Sequence, residues 1–361
     1  MTALPDFPWD ALQPYRDKAA RYPGGVVDLA IGTPVDPVPA SIQAALSSVS
    51  EIPGYPYTHG TPELRAAVVD ALVRRHGVTG LEPSAVLPTI GSKELVAWLP
   101  RLLGVSPGDL VVIPELAYPT YEVGAALAGA TVVRADGLTA LGPRRPALVW
   151  LNSPANPTGR VLGVAHLRKV VDWARERGSV VVSDECYLAL GWDAEPVSVL
   201  HPDVCGGSHE GLLAVHSLSK SANMASYRAG FVAGDAALVK DLHELRRHAG
   251  MIVPRPVQEA MRVALGDDEA LGAQRHRYAK RRGVLRAALL GGGFALDHSQ
   301  GGLYLWASRG EDAWATVDWL AERGIVVAPG VFYGPGGGHH VRVSLTVSDD
   351  GVRTAAGRLA S

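Results

Sequence analysis

The sequence predicts an α/β protein in which a mainly parallel sheet is covered by helices on both faces and joined to a smaller α+β domain. Short apolar runs at 86–90, 110–113, 131–134, 147–151, 180–183, 212–215 and 231–233 generally alternate with helical stretches, the pattern of strand–helix–strand units. Residues capable of chemistry cluster just after the ends of these runs, at 91–93, 152–156, 184 and 217–220. That edge is where open α/β sheets bind ligands. Beyond residue 257 the order changes: a long helical stretch is followed by strand-like runs at 303–306, 325–327 and 341–345 and a helix at 314–322.

Each element has a local cause. Thr61-Pro62 reads as an N-cap followed by proline at the first helical position, Leu64, Val68 and Leu72 form a helical stripe, and Gly77 ends it. The run at 86–90 is a strand, Gly91-Ser92-Lys93 a turn, and 94–103 a helix. Pro, Asn and Gly at high density in Asn152-Ser153-Pro154-Ala155-Asn156-Pro157-Thr158-Gly159 mark a turn after the strand at 147–151. Asn156 precedes a proline and is pushed out of helical geometry. Val180-Val181-Val182-Ser183 reads as a buried strand. A helix at 274–290 carries the basic run Arg275-His276-Arg277-Tyr278-Ala279-Lys280-Arg281-Arg282, expected to be a solvated face. Gly336-Gly337-Gly338 is expected to be a mobile loop tip, and His339-His340 to be exposed.

Composition bounds the function. The chain has 361 residues, 47% of them apolar, enough for two domains with sizeable cores. A net charge of −2 and a pI near 6.6 give no field for nucleic acid or membranes. Two cysteines, Cys186 and Cys205, form no disulfide framework and point to a reducing, cytoplasmic compartment. Asp6 and Asp10 without an apolar segment argue against a signal peptide. No run approaches the ~18 apolar residues of a membrane span. The histidines lack ligand spacing, so no metal is expected.

The chemistry resides in three motifs. Ser217-Leu218-Ser219-Lys220, with Arg228 eight residues on, sets a lysine in a polar turn between apolar runs, suited to a covalent bond with pyridoxal phosphate. Asp184 ends a buried strand, where its carboxylate can keep a pyridine nitrogen protonated, and Tyr187 lies three residues on, within reach of a ring oxygen. Asn156 is the third piece, an amide held toward the sheet edge. Free backbone amides at Ser92 and Lys93 suit a phosphate, and Ser217 and the Arg228 fork complete that cradle. Arg342, in the alternating run Val341-Arg342-Val343-Ser344-Leu345, offers a planar charged fork for a carboxylate.

In this combination the chain resembles the fold-type I pyridoxal-phosphate aminotransferases of class I/II, from Ile31-Gly32-Thr33-Pro34 to Val341-Arg342-Val343-Ser344. The resemblance implies Lys220 as the lysine that carries the cofactor and moves the substrate proton, Asp184 as the pyridinium partner, and Tyr187 and Asn156 as partners of the ring oxygen. It implies Tyr118 as the stacking aromatic, Gly32, Asn156 and Arg342 at the substrate carboxylate, and Tyr55 on the phosphate of a partner subunit. A homodimer with shared active sites follows, with amino-acid and 2-oxo-acid substrates. Residues 40–250 would form the large domain, and 1–39 with 251–361 a discontinuous small one. One departure is Ser226, where relatives usually carry glycine, so the local turn is expected to differ. The stretch Arg246-Arg247-His248-Ala249-Gly250-Met251-Ile252-Val253-Pro254 is similar to succinyldiaminopimelate aminotransferases of actinobacterial type. These work in lysine biosynthesis, and Arg16, Arg21 and Arg255 are candidates for the substrate's distal group. Two other readings stay open: a β-lyase of the same fold, and a cofactor-binding regulator, against which the lack of a basic helix-turn-helix before Gly32 counts.

Overall fold

The computed structural model of the protein describes residue 4 and residues 7–360; Asp6, cited above for its charge, lies outside them. All seven apolar runs are strands of one sheet: β1 (Val86–Ile90), β2 (Leu110–Ile113), β3 (Thr131–Arg134), β4 (Leu148–Asn152), β5 (Val180–Asp184), β6 (Leu212–Ser217) and β7 (Ala229–Gly234). Their spatial order is β1-β7-β6-β5-β4-β2-β3, and only β7 runs antiparallel to its neighbours. Successive side chains of a strand point to opposite faces, so Val149 and Leu151 enter one core cluster while Leu148 and Trp150 enter another. Both faces are therefore covered, which is why these strands read as continuous apolar runs rather than alternating ones.

The helices that place the site are α1 (Pro62–His76), α2 (Ser92–Leu102), α3 (Thr120–Ala128), α4 (Val164–Arg175) and α5 (Ala236–His248). Thr61 caps α1 by accepting from the Leu64 amide, and Gly77 closes it in the left-handed conformation (φ 63°). α2 begins directly at the end of β1. The buried Arg246 of α5 forks both oxygens of Glu94 in its first turn, at 3.0 and 2.9 Å, and fixes where that helix starts.

Beyond the large sheet, α6 (Arg255–Gly266) and α7 (Asp268–Gly291) are two helices, not one stretch. Asp267 interrupts them by accepting from the Ala270 amide as the N-cap of α7. An antiparallel sheet follows, of β8 (Ala295–Asp297), β9 (Tyr304–Ser308), β10 (Ala328–Pro329) and β11 (Val341–Ser344), in the order β10-β11-β9-β8. Its core includes Leu305, Val343, Val317 and Tyr278, and the N-terminal segment contributes Leu12, Ala19 and Leu29. Val27 and Asp28 pair in parallel with Ile325 and Val326.

Three expectations are corrected here. Arg281 is not on a solvated face: it is buried against both Asp36 oxygens (2.6 and 2.8 Å) and Asp349 (2.6 Å), contacts too remote in sequence for a charge run to reveal. The glycines at 336–338 are not a mobile tip. Gly337 is buried, a side chain there would collide with the Gly330 backbone, and the Gly338 carbonyl accepts from the Ala313 amide at 2.8 Å. His340 is half-buried and stacks on Trp306 with ring centroids 5.0 Å apart, whereas His339 is exposed as expected. No helix among the described residues is long and apolar enough to cross a membrane.

Candidate active site

A cavity of ≈470 Å³ opens at the carboxyl ends of β4, β5 and β6, and every candidate cofactor, catalytic and α-carboxylate residue except Tyr55 lines it. The topology accounts for this convergence. Parallel strands end on the same side of the sheet, so the turns after β4, β5 and β6 deliver Asn156, Asp184 and Lys220 to one edge.

Asp184 forms the floor. It is buried, the Tyr121 hydroxyl donates to its Oδ2 at 2.8 Å, and the Cys186 amide donates to its Oδ1 at 3.2 Å. Burial pushes its carboxyl above the usual range, and the donors from Cys186 and Tyr121 pull the other way. Among the described residues no ion pair neutralises it. A buried carboxylate that lines a cavity and has no ion-pair partner among the described residues is a receptor for a positively charged ligand group, and a protonated pyridine nitrogen fits it.

Lys220 lies on the short helix Leu218–Ser221 after β6, and its Nζ donates to the Gly32 carbonyl. Burial lowers its pKa, with Tyr304 and Cys186 opposing. An amine so shifted is more readily neutral, as a nucleophile or base requires. Tyr118 stands edge-on to Tyr121, ring centroids 5.8 Å apart, and burial pushes its hydroxyl up to about 12.

The anion cradle forms at the start of α2. Gly91 has φ 72°, and the space its side chain would fill is taken by the Arg228 guanidinium, so glycine satisfies both the backbone and the packing. The free amides of Ser92 and Lys93 open there. Arg228 is exposed, donates to the Ala225 carbonyl at 2.9 Å, and has no carboxylate partner among the described residues. Arg228 itself takes the left-handed conformation (φ 55°), which costs a non-glycine residue about 1–3 kcal/mol. Ser226 is exposed and is not among the positive-φ residues, so serine in place of glycine introduces no strain at that position. The unusual backbone angle falls two residues later, on the arginine.

Arg342 is buried, with Nη1 donating to Asn156 Oδ1 at 2.8 Å and Nη2 to the Ala30 carbonyl at 2.6 Å. Its buried Nε lacks a partner among the described residues. Such a donor is costly to leave unpaired and suits an incoming carboxylate. Tyr55, by contrast, is 98% exposed and lies outside the cavity of its own chain. Arg16, Arg21 and Arg255 do not line the cavity either: Arg16 pairs with Asp28 at 2.5 Å and Arg255 with Glu259 at 3.7 Å.

Sequence reasoning missed several residues here. Asn152 donates to the Asp184 carbonyl at 2.9 Å and accepts from the Asn156 amide at 2.7 Å, fixing the turn. Its place at the head of the Asn-Pro-rich turn could have marked it. Tyr121, three residues after Tyr118 in the first turn of α3, carried the weaker signal of a second tyrosine beside that motif. Tyr304, whose hydroxyl lies 3.1 Å from that of Tyr187, sits in an apolar strand with no local signal. Phe7 and Trp9 also line the cavity.

Comparisons with known proteins identify the family. The family model for aminotransferase class I and II matches residues 24–359. A probable aminotransferase, Rv1178, from Mycobacterium tuberculosis is 64% identical over 99% of this chain and 85% of its own. The 4-dedimethylamino-4-oxo-anhydrotetracycline transaminase OxyQ from Streptomyces rimosus is 55% identical over 99% of this chain and 100% of its own. Among solved structures, a probable N-succinyldiaminopimelate aminotransferase from Thermus thermophilus superposes with a TM-score of 0.87 at 29% identity, covering 98% of this chain and 99% of that one. The chain belongs to the class I and II aminotransferases, enzymes that depend on pyridoxal phosphate.

Proposed function

We propose that the protein transfers the amino group of N-succinyl-L,L-diaminopimelate to 2-oxoglutarate, by a ping-pong cycle, in the cytoplasm. The observation that carries the choice of substrate is a second free cation at the cavity. Lys93 lines it, is exposed, has no carboxylate partner among the described residues, and sets its ammonium over the Phe7 ring, 5.8 Å from the centroid. With Arg342 on the α-carboxylate, Lys93 offers a receptor for a distal acid, and the ≈470 Å³ cavity accommodates a long chain between them. The Thermus thermophilus structure named for this substrate supports the same reading.

Bound pyridoxal phosphate supplies an electron sink for the bonding pair released at the substrate Cα. The chain's residues do the rest. Asp184 keeps the ring nitrogen protonated, Tyr187 and Asn156 hold the ring oxygen, and Tyr118 covers the ring face. Ser217, Arg228 and the amides of Ser92 and Lys93 hold the phosphate, with Tyr55 arriving from a second copy of the chain. Arg342 and Gly32 fix the carboxylate so that Lys220 can take the Cα proton and return it, as base and then acid.

The relationship to OxyQ supports a second reading, amination of a ring ketone on a bulky polycycle, and the aromatic wall of Phe7 and Trp9 suits such a substrate. Steady-state kinetics with a panel of donors tests the first reading. The first reading expects N-succinyl-diaminopimelate with 2-oxoglutarate to exceed aspartate and phenylalanine by more than about tenfold in kcat/KM, which requires about 1.4 kcal/mol of differential transition-state binding. Equal turnover of aspartate or phenylalanine rejects that substrate assignment.

A further inference from the structure

Tyr304 on β9 meets three parts of the active site at once. Its hydroxyl lies 3.1 Å from the Tyr187 hydroxyl, the two rings edge to face with centroids 5.7 Å apart. Its face supports the Arg342 guanidinium, whose carbon stands 3.9 Å from the ring centroid. Its phenol fills the space that a side chain at position 32 would need, next to the Gly32 carbonyl that accepts from Lys220. Sheet register causes this. Tyr304 pairs with Ser344 and Trp306 with Arg342, so Tyr304 and Arg342 are diagonal neighbours on one face.

Two buried hydroxyls in contact share one proton between them and leave the other for a third group. Neither hydroxyl has another protein partner among the described residues. If Tyr187 donates to Tyr304, the Tyr187 proton is consumed inside the pair. If Tyr304 donates, that proton is free to point across the cavity.

We propose that Tyr304 is a positioning residue: its hydroxyl donates to Tyr187 and so commits the Tyr187 proton to the cofactor's ring oxygen, while its ring carries Arg342. The proposal rests on the assignment of Tyr187 to the ring oxygen and of Lys220 to the cofactor. A donor at that oxygen stabilises negative charge there and makes the lysine nitrogen bonded nearby easier to deprotonate. The titratable and charged groups facing Lys220 are Tyr304, Cys186, Arg342 and Arg228, with Asp184 and Tyr187 lining the same cavity. The variants tested leave all but the two tyrosines in place.

The test is the pH midpoint of the holoenzyme's visible absorbance in wild type, Tyr304→Phe, Tyr187→Phe and the double variant. Tyr304→Phe is expected to raise the midpoint by a few tenths to about one pH unit, the size of one hydrogen bond's influence, in the same direction as Tyr187→Phe and by less. Because Tyr304 acts through Tyr187, the double variant should shift no further than Tyr187→Phe alone. The Michaelis constant for the amino donor should stay near wild type in Tyr304→Phe, which keeps the ring, and rise several-fold in Tyr304→Leu, which loses the support under Arg342. An unmoved midpoint in Tyr304→Phe, even with a lowered Tm, makes Tyr304 an ordinary core tyrosine and overturns the proposal, as do fully additive shifts. An unmoved midpoint in Tyr187→Phe removes the assignment on which the proposal stands.

Discussion

Asp184 occupies a position that burial alone would make unfavourable for a charge. The fold keeps the carboxylate usable by aiming the Tyr121 hydroxyl and the Cys186 amide at its two oxygens, each charge-assisted bond being worth about 1.5–3 kcal/mol. The protonated ring nitrogen proposed to sit in the cavity would add to this stabilisation. Asp184→Ala should therefore lower kcat by about 10² or more, because the ring nitrogen loses its proton. Cofactor affinity should fall less, since the phosphate cradle is untouched. Single-turnover kinetics with equilibrium cofactor titration separates the two effects, and near-normal kcat would remove Asp184 from the role of pyridinium partner. At this scale the sequence was legible where a residue stood in a motif: Asp184, Asn156 and Lys220 stand at or just after strand ends, Arg228 just before β7, and all line the cavity. It was silent on Tyr304, which reaches Tyr187 across 117 residues. Nothing local to an apolar strand records such a contact.

The strands could be read because burial on both faces writes itself as Val- and Leu-rich runs, and the cap of α1 because Thr, Pro and Gly act locally. Ion pairs that join distant elements leave no such trace, and Arg281 shows the difference. Counted as one charge in a basic helix, it is instead the buried anchor that ties Asp36, in the loop after the Gly32 turn, to α7. The relative side-chain exposures are 3% for Arg281 and 10% for Asp36, so removing Asp36 leaves the buried guanidinium with the exposed Asp349 as its remaining carboxylate partner. Asp36→Asn should cost about 1.5–3 kcal/mol in chemical denaturation, the range for hydrogen bonds to a charged group, since Asp349 still pairs with Arg281. The pH dependence has a definite sign. Arg281 holds the Asp36 carboxyl below its ordinary value against the opposing effect of burial, so the stabilisation is complete above the unfolded carboxylate pKa of about 3.9 and is lost as pH falls through the lower folded value. The variant should accordingly lose stability at neutral pH and converge with wild type in strong acid. Parallel denaturation curves at neutral pH, with no difference in midpoint, would show the pair to be dispensable.

The molecule as a whole is arranged as though part of its site lay elsewhere. Gln258, fully buried, donates to the Tyr57 carbonyl at 3.0 Å and to the Val253 carbonyl at 2.9 Å and accepts from the Thr61 amide at 3.1 Å. That clamp holds the base of a segment whose outer residues, Tyr55 and Tyr57, are 98% and 69% exposed. Large aromatic side chains held outward on an anchored segment signal an interaction surface, and the exposed Ile52, three residues before Tyr55, extends its apolar character. The cradle of Ser92, Ser217 and Arg228 lines the cavity without Tyr55, so under the proposed sharing of sites the Tyr55 hydroxyl reaches that phosphate from a second copy. Removing its hydroxyl in Tyr55→Phe should weaken cofactor binding by about 1–3 kcal/mol. Mixed oligomers give the sharper test. Lys220→Ala subunits lack the reactive amine and Tyr55→Phe subunits lack the shared contact, yet a hybrid dimer contains one site with both Lys220 and the partner's hydroxyl intact. Mixing the two variants after dissociation should restore cofactor affinity and activity above the sum of the parents, toward one intact site per hybrid. If mixtures of verified hybrid composition never exceed that sum, Tyr55 serves its own subunit or no phosphate at all, and the shared site is wrong.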